Sequence, residues 1–306
     1  MLLFRKILVL ALLGIAYQGA ASAQSTPTCN SSGCTISASG SYILNSRIMG
    51  LTISASNVVL DLNGFGVTQL NNPGWVCTIA AGTRGNSCNS GAITGNPAIS
   101  ISGSNVTVKN GMVYSGYGTG IYVISPSNAA SDVTLKDLTV SNFRGPGIDV
   151  SNANVVSLIN VQSNQNGSYG IVGANEVSMQ NVTANYNNSI GIQVFSGQLE
   201  NVSAEYNSDG GIVAAGVITK ARVKYNGDVG ITAAAVIRDS YAFGNVGTGI
   251  SMGPSGVVID SIAALNGGGG FSLSSGVCYW GLSTQGNTGA AISGGTPLSG
   301  SNASCQ

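Results

Sequence analysis

Apolar and polar residues along this chain recur with two periods at once, a short one of two and a long one near twenty. The stretch Asn181-Val182-Thr183-Ala184-Asn185-Tyr186-Asn187 alternates, so Val182 and Ala184 share one face of a short strand and Thr183 and Asn185 the other. Asn201 to Asn207 and Lys220 to Asn226 repeat the same order, small and apolar inside, variable outside. Gly-Ile pairs punctuate the repeat at Gly170, Gly191, Gly211, Gly230 and Gly249, and four residues before each glycine stands Asn166, Asn187, Asn207, Asn226 or Asn245. Asn266 precedes Gly270-Phe271 by the same interval, and Asn287 continues the series. The steps between these asparagines are 21, 20, 19, 19, 21 and 21 residues. That is too short for a pair of packed helices and suits one coil of a β-solenoid.

The register predicts inward positions for Val161, Val182, Val202, Ile171, Ile192, Ile212, Ile231 and Ile250. It also exposes a second polar series six residues upstream: Asn63, Asn110, Asp137, Asn160, Asn181, Asn201, Lys220, Asp239 and Asp260. Asparagine tolerates left-handed backbone, and its amide can bond the equivalent group one coil away, about 4.8 Å distant. Both series are read as structural ladders rather than as ligand sites. The Asn-X-Ser/Thr sequons that fall within them, Asn181 and Asn201 included, are read as coincidences of an Asn-, Ser- and Thr-rich repeat.

The first half is less regular. Asn63 to Asn110 spans 47 residues, about one coil more than the repeat needs. The surplus, about residues 70–97, holds turn-forming residues, Trp75 and a Cys77/Cys88 pair, and such a loop is either functional or a cap. The organisation expected is a signal peptide over 1–23, an N-terminal cap over 24–56, a parallel β-helix over 57–277 and a C-terminal coil and cap over 278–306.

Arg5 and Lys6 followed by the apolar run Ile7 to Ala16 read as a signal peptide, too short to span a bilayer, with Ala21-Ser22-Ala23 as the cleavage signal. An uncleaved anchor is the alternative. Cleavage after Ala23 implies a secreted or periplasmic protein with no later membrane span. In that setting 6 cysteines read as disulfides, and proximity pairs Cys29 with Cys34, Cys77 with Cys88 and Cys278 with Cys305. Six cysteines allow 15 connectivities, so the pairing is an expectation.

Cleavage removes Arg5 and Lys6 and leaves 9 basic against 11 acidic residues, a net charge near −2. No basic footprint for nucleic acid exists. With no histidine and no Cys-X-X-Cys, a resident metal is not expected; calcium is the one cofactor left open.

Asn57-Val58-Val59-Leu60-Asp61-Leu62-Asn63-Gly64-Phe65, followed by the short Gly-Ile coils, resembles the bacterial right-handed parallel β-helix proteins of the pectin-lyase-like superfamily, over about residues 40–290. The resemblance implies an all-β, single-stranded right-handed parallel β-helix. It implies a carbohydrate as the leading ligand class, because the superfamily's enzymes act mostly on acidic polysaccharides. It does not imply an activity. The grouped aspartates with histidine of the galacturonan hydrolases and the Asp-Pro-His motif of the epimerases cannot be assembled here, and the acids are too dispersed for the calcium site of a pectate lyase.

Two surfaces could carry chemistry. Outward positions in successive coils hold Glu205, Arg222, Lys224, Tyr241 and Phe243, with Asp209 and Asp228 stacked just past the turn. Arg222 and Lys224 could hold a carboxylate, a basic residue could accept a proton, and the paired acids suit a retaining glycosidase or part of a calcium site. The bland reading is a Glu205–Lys224 cross-strand pair and rings that merely cover a sheet. A ligand-binding site is expected instead beside the long loop, from Trp75, Arg84, Tyr114, Tyr117, Tyr122, Arg144 and Asp149. The function expected is an exported carbohydrate-binding or structural solenoid without strong catalytic activity. The alternative is a polysaccharide lyase or glycoside hydrolase acting on acidic polysaccharide. The partner would be a polysaccharide or cell-surface glycan; the oligomeric state stays open.

Overall fold

The computed structural model describes residues 24–30, 33–69, 95–124, 132–173 and 176–298. Among them there is no helix, and short strands wind into a parallel solenoid of about 11 turns. Three faces make up each coil. In the coil that starts at Ile171, the first face is Ile171–Gly173 and the second is the opening of Glu176–Thr183. The chain bends at Asn181 and Val182 begins the third. Each face pairs in register with its successor: Ile171 with Ile192, Met179 with Leu199, Val182 with Val202.

Alternation settles what each face buries. Ile171, Ile192, Ile212, Ile231 and Ile250 are fully buried in one column, and Val161, Val182 and Val202 line another. All eight inward positions read from the sequence therefore face the lumen. Packing these side chains stabilises by roughly 1.5–3 kcal/mol each, as an upper bound.

The two polar series differ. Residues of the upstream series occupy the bend between the second and third faces in left-handed conformation, Asn160 at φ 53°, Asn181 at 56° and Asn201 at 52°. Their amides bond coil to coil, Asn181 Nδ2 to Asn160 Oδ1 at 2.9 Å and Asn201 Nδ2 to Asn181 Oδ1 at 2.7 Å, while exposed to solvent. Asparagines of the Gly-Ile series are buried at the bend between the third and first faces. There the residue before the asparagine takes the left-handed conformation: Tyr186 at φ 56°, Tyr206 at 57°, Tyr225 at 54°. The tolerance of asparagine for that backbone thus explains the outer series and not the inner one.

What the inner series needs asparagine for is hydrogen bonding. Asn207 Oδ1 accepts from the backbone N–H of Asn187 at 2.9 Å and from its Nδ2 at 3.1 Å. Asn207 Nδ2 donates to Asn226 Oδ1 and to the carbonyl of Ala184, both at 2.9 Å. The pattern runs from Asn166 to Asn287. It also fixes the paired glycine: a Cβ on Gly191 would lie 2.6 Å from Asn207 Nδ2, and one on Gly249 2.6 Å from Asn266 Nδ2.

Residues 33–53, within the segment expected as a cap, already stack as a coil, Cys34 on Leu51 and Gly40 on Val58. Cys29 and Cys34 form a disulfide, as proximity predicts. Cys278 is disulfide-bonded as well. Cys77, Cys88 and Cys305 lie outside the described residues, so those two pairings are untested.

Candidate functional site

The bend between the third and first faces gathers most of the chemistry. The described chain stops there at Gln69 and resumes at Gly95, so the expected loop, with Trp75 and Arg84, lies outside the described residues. The stems of the loop are tied down by one amide. Gln69 Oε1 accepts from the backbone N–H of Tyr117 and, at 3.2 Å, from that of Gly118. Gly118 is a position where backbone approaches closely, since a Cβ there would sit 2.8 Å from the carbonyl oxygen of Gly95.

Two arginine–tyrosine pairs flank these stems. The Arg144 guanidinium carbon lies 5.8 Å from the centre of the Tyr117 ring, joining consecutive coils at the bend. Arg47, exposed and absent from the sequence expectations, lies 5.3 Å over Tyr114 on the third face. Tyr114 rests in turn on Gly66, where a Cβ would meet its ring at 2.4 Å. Cation–π contacts of this kind contribute about 0.5–1 kcal/mol when exposed. Tyr122 and Asp149 are neighbours in register around the bend on the first face. The Tyr122 hydroxyl accepts from Asn152 Nδ2 at 2.9 Å, and Asp149 Oδ1 accepts from the N–H of Ser151 at 3.0 Å. Of the expected site, then, Tyr117 and Arg144 meet directly, Tyr114 pairs with Arg47, and Tyr122 and Asp149 stand side by side in register, each bonded to a different residue.

Further along the same bend, Tyr186, Tyr206 and Tyr225 form a column. Centroids are 5.0 Å apart in both steps, with interplanar angles of 1° and 26°. Phe243 meets Tyr225 edge-on at 5.5 Å and stacks with Tyr241 at 5.7 Å. These pairs contribute about 0.5–1.5 kcal/mol each beyond burial, against roughly 1–2 kcal/mol for each left-handed tyrosine. Stacking along the solenoid axis turns the ring faces toward one another and leaves edges and hydroxyls outermost. Burial among its neighbours raises the Tyr206 phenol above its ordinary range, with Tyr186, Tyr225 and Glu205 adding to the shift. Burial and Tyr225 raise Tyr241, and Arg222 opposes them.

Beside the column lie the residues weighed for catalysis. Glu205 and Lys224 are in register, but the ion pair is Glu205 with Arg222, Oε1 to Nε 3.0 Å. The expected Glu205–Lys224 pair gives way because Arg222 reaches diagonally across the strand while Lys224 Nζ sits over Tyr241, 5.4 Å from its ring centre. Asp209 Oδ2 accepts from Ser189 Oγ at 2.9 Å past the bend, and the Asp228 N–H bonds the Asp209 carbonyl at 3.2 Å. The tyrosine column thus stands in sequence between Glu205, Arg222 and Lys224 on one side and the two aspartates on the other. Asn185, expected to be simply exposed, is half-buried, and its Oδ1 accepts the Glu205 N–H at 2.8 Å. Among the described residues no three His, Cys, Asp or Glu side chains converge as metal ligands.

Residues 97–217 match a family model described as the right handed beta helix region. A double mutant of the periplasmic alginate epimerase AlgG is similar in structure, at 10% identity and TM-score 0.52 over 85% of this chain and 75% of that one. The coil is a right-handed parallel β-helix. A siphovirus 9NA tailspike receptor binding domain matches at 9% identity and TM-score 0.48, over 89% of the β-helix chain and 74% of that domain. Tailspike protein 2 of Escherichia coli O157:H7 bacteriophage CAB120 matches at 13% identity and TM-score 0.43, over 78% of this chain. The β-helix spans 38% of that tailspike's length. No curated protein matches the chain in sequence. Among the described residues no helix is long and apolar enough to cross a membrane.

Proposed function

We propose that this β-helix is an exported carbohydrate-binding protein, with turnover absent or slow, whose site lies where the 70–97 loop leaves the coil. Residues 1–23 would be removed on export, after Ala23. The observation that carries the reading is the Arg144–Tyr117 pair at the bend where Gln69 anchors the loop stems. An aromatic body can bury sugar C–H groups, and a guanidinium can take a carboxylate or paired hydroxyls through two parallel hydrogen bonds. Arg47 over Tyr114 repeats the combination on the same coil, with its arginine reaching in from two coils earlier, and the loop would add Trp75 and Arg84. Functional loops of solenoids leave from one side in this manner.

The test is retention of the protein by a panel of neutral and acidic polysaccharides, for wild type and for Trp75→Ala and Arg144→Ala, with melting checked first. Binding by wild type that falls about tenfold or more in each variant supports the site. A wild type that binds nothing, or variants that bind equally well, would refute it.

A second reading, a lyase or hydrolase of acidic polysaccharide, is favoured by one observation: Glu205, Arg222, Lys224 and Tyr241 adjoin on one outward surface. Product formation by wild type that is lost in Lys224→Gln or Glu205→Gln would move the assignment there.

A further inference from the structure

Among the described residues, one short strap covers the N-terminal mouth of the β-helix. Ser25 continues the second face by a parallel bridge to Tyr42, donating to the Ser41 carbonyl and accepting from Ile43 N–H, both at 2.9 Å. Pro27 follows and is buried. Thr28–Asn30 then lies on Gly33–Ile36 of the first face, with Thr28 opposite Thr35 and Cys29 opposite Cys34. This pairing is antiparallel, whereas the strands of the first coil pair parallel with the next, Cys34 with Leu51 and Gly40 with Val58. The disulfide between Cys29 and Cys34 staples the strap across it.

Beneath the strap the edge lacks the usual safeguards. From Gln24 to Ser46 the chain has no charged residue, and its one proline, Pro27, is in the strap. Exposed strand edges are normally protected by charge, by proline or by a covering segment, because their unpaired N–H and C=O groups template another strand. Among the described residues here, the protection is a covering segment. Cys34 N–H points to the next coil, bonding the Gly50 carbonyl at 2.9 Å, so Thr35 turns its backbone groups toward the strap. The third face begins at Ile48–Met49, which pairs on one side with Val67–Thr68, and Met49 is 53% exposed.

We infer that this edge is a strand-addition surface for a second copy of the same chain, held shut by the Cys29–Cys34 staple. The strap shows that Gly33–Ile36 accepts an antiparallel strand. A copy related by a two-fold axis across the mouth offers its own Gly33–Ile36 in that direction, so the interface is self-complementary and closes at a dimer. The two first faces that meet carry no charged residue, and the one charge of the first coil, Arg47, stands at the start of the third face. While the staple is intact, the strap occupies the edge at far higher effective concentration than a second copy can reach.

The experiment is light-scattering mass of the full chain, across a concentration series, for wild type and for Cys29→Ser with Cys34→Ala. Hydrogen exchange of residues 33–36 is measured in parallel. The expected result is a mass independent of concentration in wild type and a doubling that saturates in the double variant. Adding Thr35→Lys, an exposed edge position, should abolish the doubling. A double variant whose mass never changes overturns the inference, whether residues 33–36 exchange freely or stay protected. Open-ended assembly overturns the two-fold mode. If the double variant fails to fold, Cys29→Ser alone, which leaves the buried Cys34 in place, is put through the same series and judged by the same outcomes.

Discussion

The coils from Asn166 to Asn287 and those from Cys34 to Val150 solve the same bend differently. In the later coils the bend between the third and first faces carries an asparagine, buried from Asn166 to Asn266 and half-buried at Asn287, whose amide bonds it to neighbouring coils. In the earlier ones the equivalent place is taken by the Phe143 ring and by Gly116, with the Gln69 amide reaching into Tyr117 and Gly118. Phe143 ends the ladder: its N–H bonds Asn166 Oδ1 at 3.2 Å and its ring fills the lumen, fully buried. A hydrogen-bonded ladder requires each coil to reach the bend in the same conformation, since one missing amide leaves buried donors unpaired. An apolar plug and a long flexible amide make no such demand. Insertions, and the arginine–tyrosine pairs beside them, sit where the ladder is absent.

Breaking the plug should give the largest effect. Phe143→Ala is expected to destabilise by about 3–5 kcal/mol, the range for a fully buried aromatic, read from the urea midpoint. A loss below about 1 kcal/mol would mean that the early coils are not held by packing at this bend.

Asn207→Leu comes next, at about 2–3 kcal/mol, because the Asn187 N–H and Nδ2 lose their acceptor. Asn181→Leu, in the exposed outer series, should cost only about 0.5–1 kcal/mol, since water replaces the lost bonds. Asn185→Leu should fall between, because its Oδ1 accepts a half-buried N–H. Equal melting temperatures for the three variants would contradict the distinction between the ladders.

A smaller effect sharpens the tyrosine column. The Tyr206 phenol has its pKa raised from 10.0, chiefly by burial, so folding favours the neutral form. The stability this contributes is full below pH 10 and is lost as pH rises through the folded value. Tyr206→Phe should flatten that alkaline loss, measured as unfolding midpoint against pH, while changing stability near neutrality little.

Much of this was legible in the chain. The twenty-residue phase of Gly-Ile and Asn fixes coil length, and the alternation around Val182 and Val202 fixes which side is inward. Positions that depend on reach rather than phase were not legible. Arg222 crosses to Glu205 while the in-register Lys224 turns to Tyr241, and a period of two cannot distinguish those rotamers. Arg47 escaped notice because it lies some 67 residues before Tyr114, two coils and an insertion away. The tyrosine column could have been found: Tyr186, Tyr206 and Tyr225 each stand directly before a ladder asparagine.

The division of labour between the two regions is tested most directly by hydrogen exchange of the whole protein with and without a polysaccharide that retains it. The account predicts slowed exchange on binding at residues 95–118 and 142–147, around Tyr117 and Arg144, with residues 183–226 unchanged. Protection confined to 183–226, around Glu205, Arg222 and Lys224, would contradict it and place the site on the regular coils.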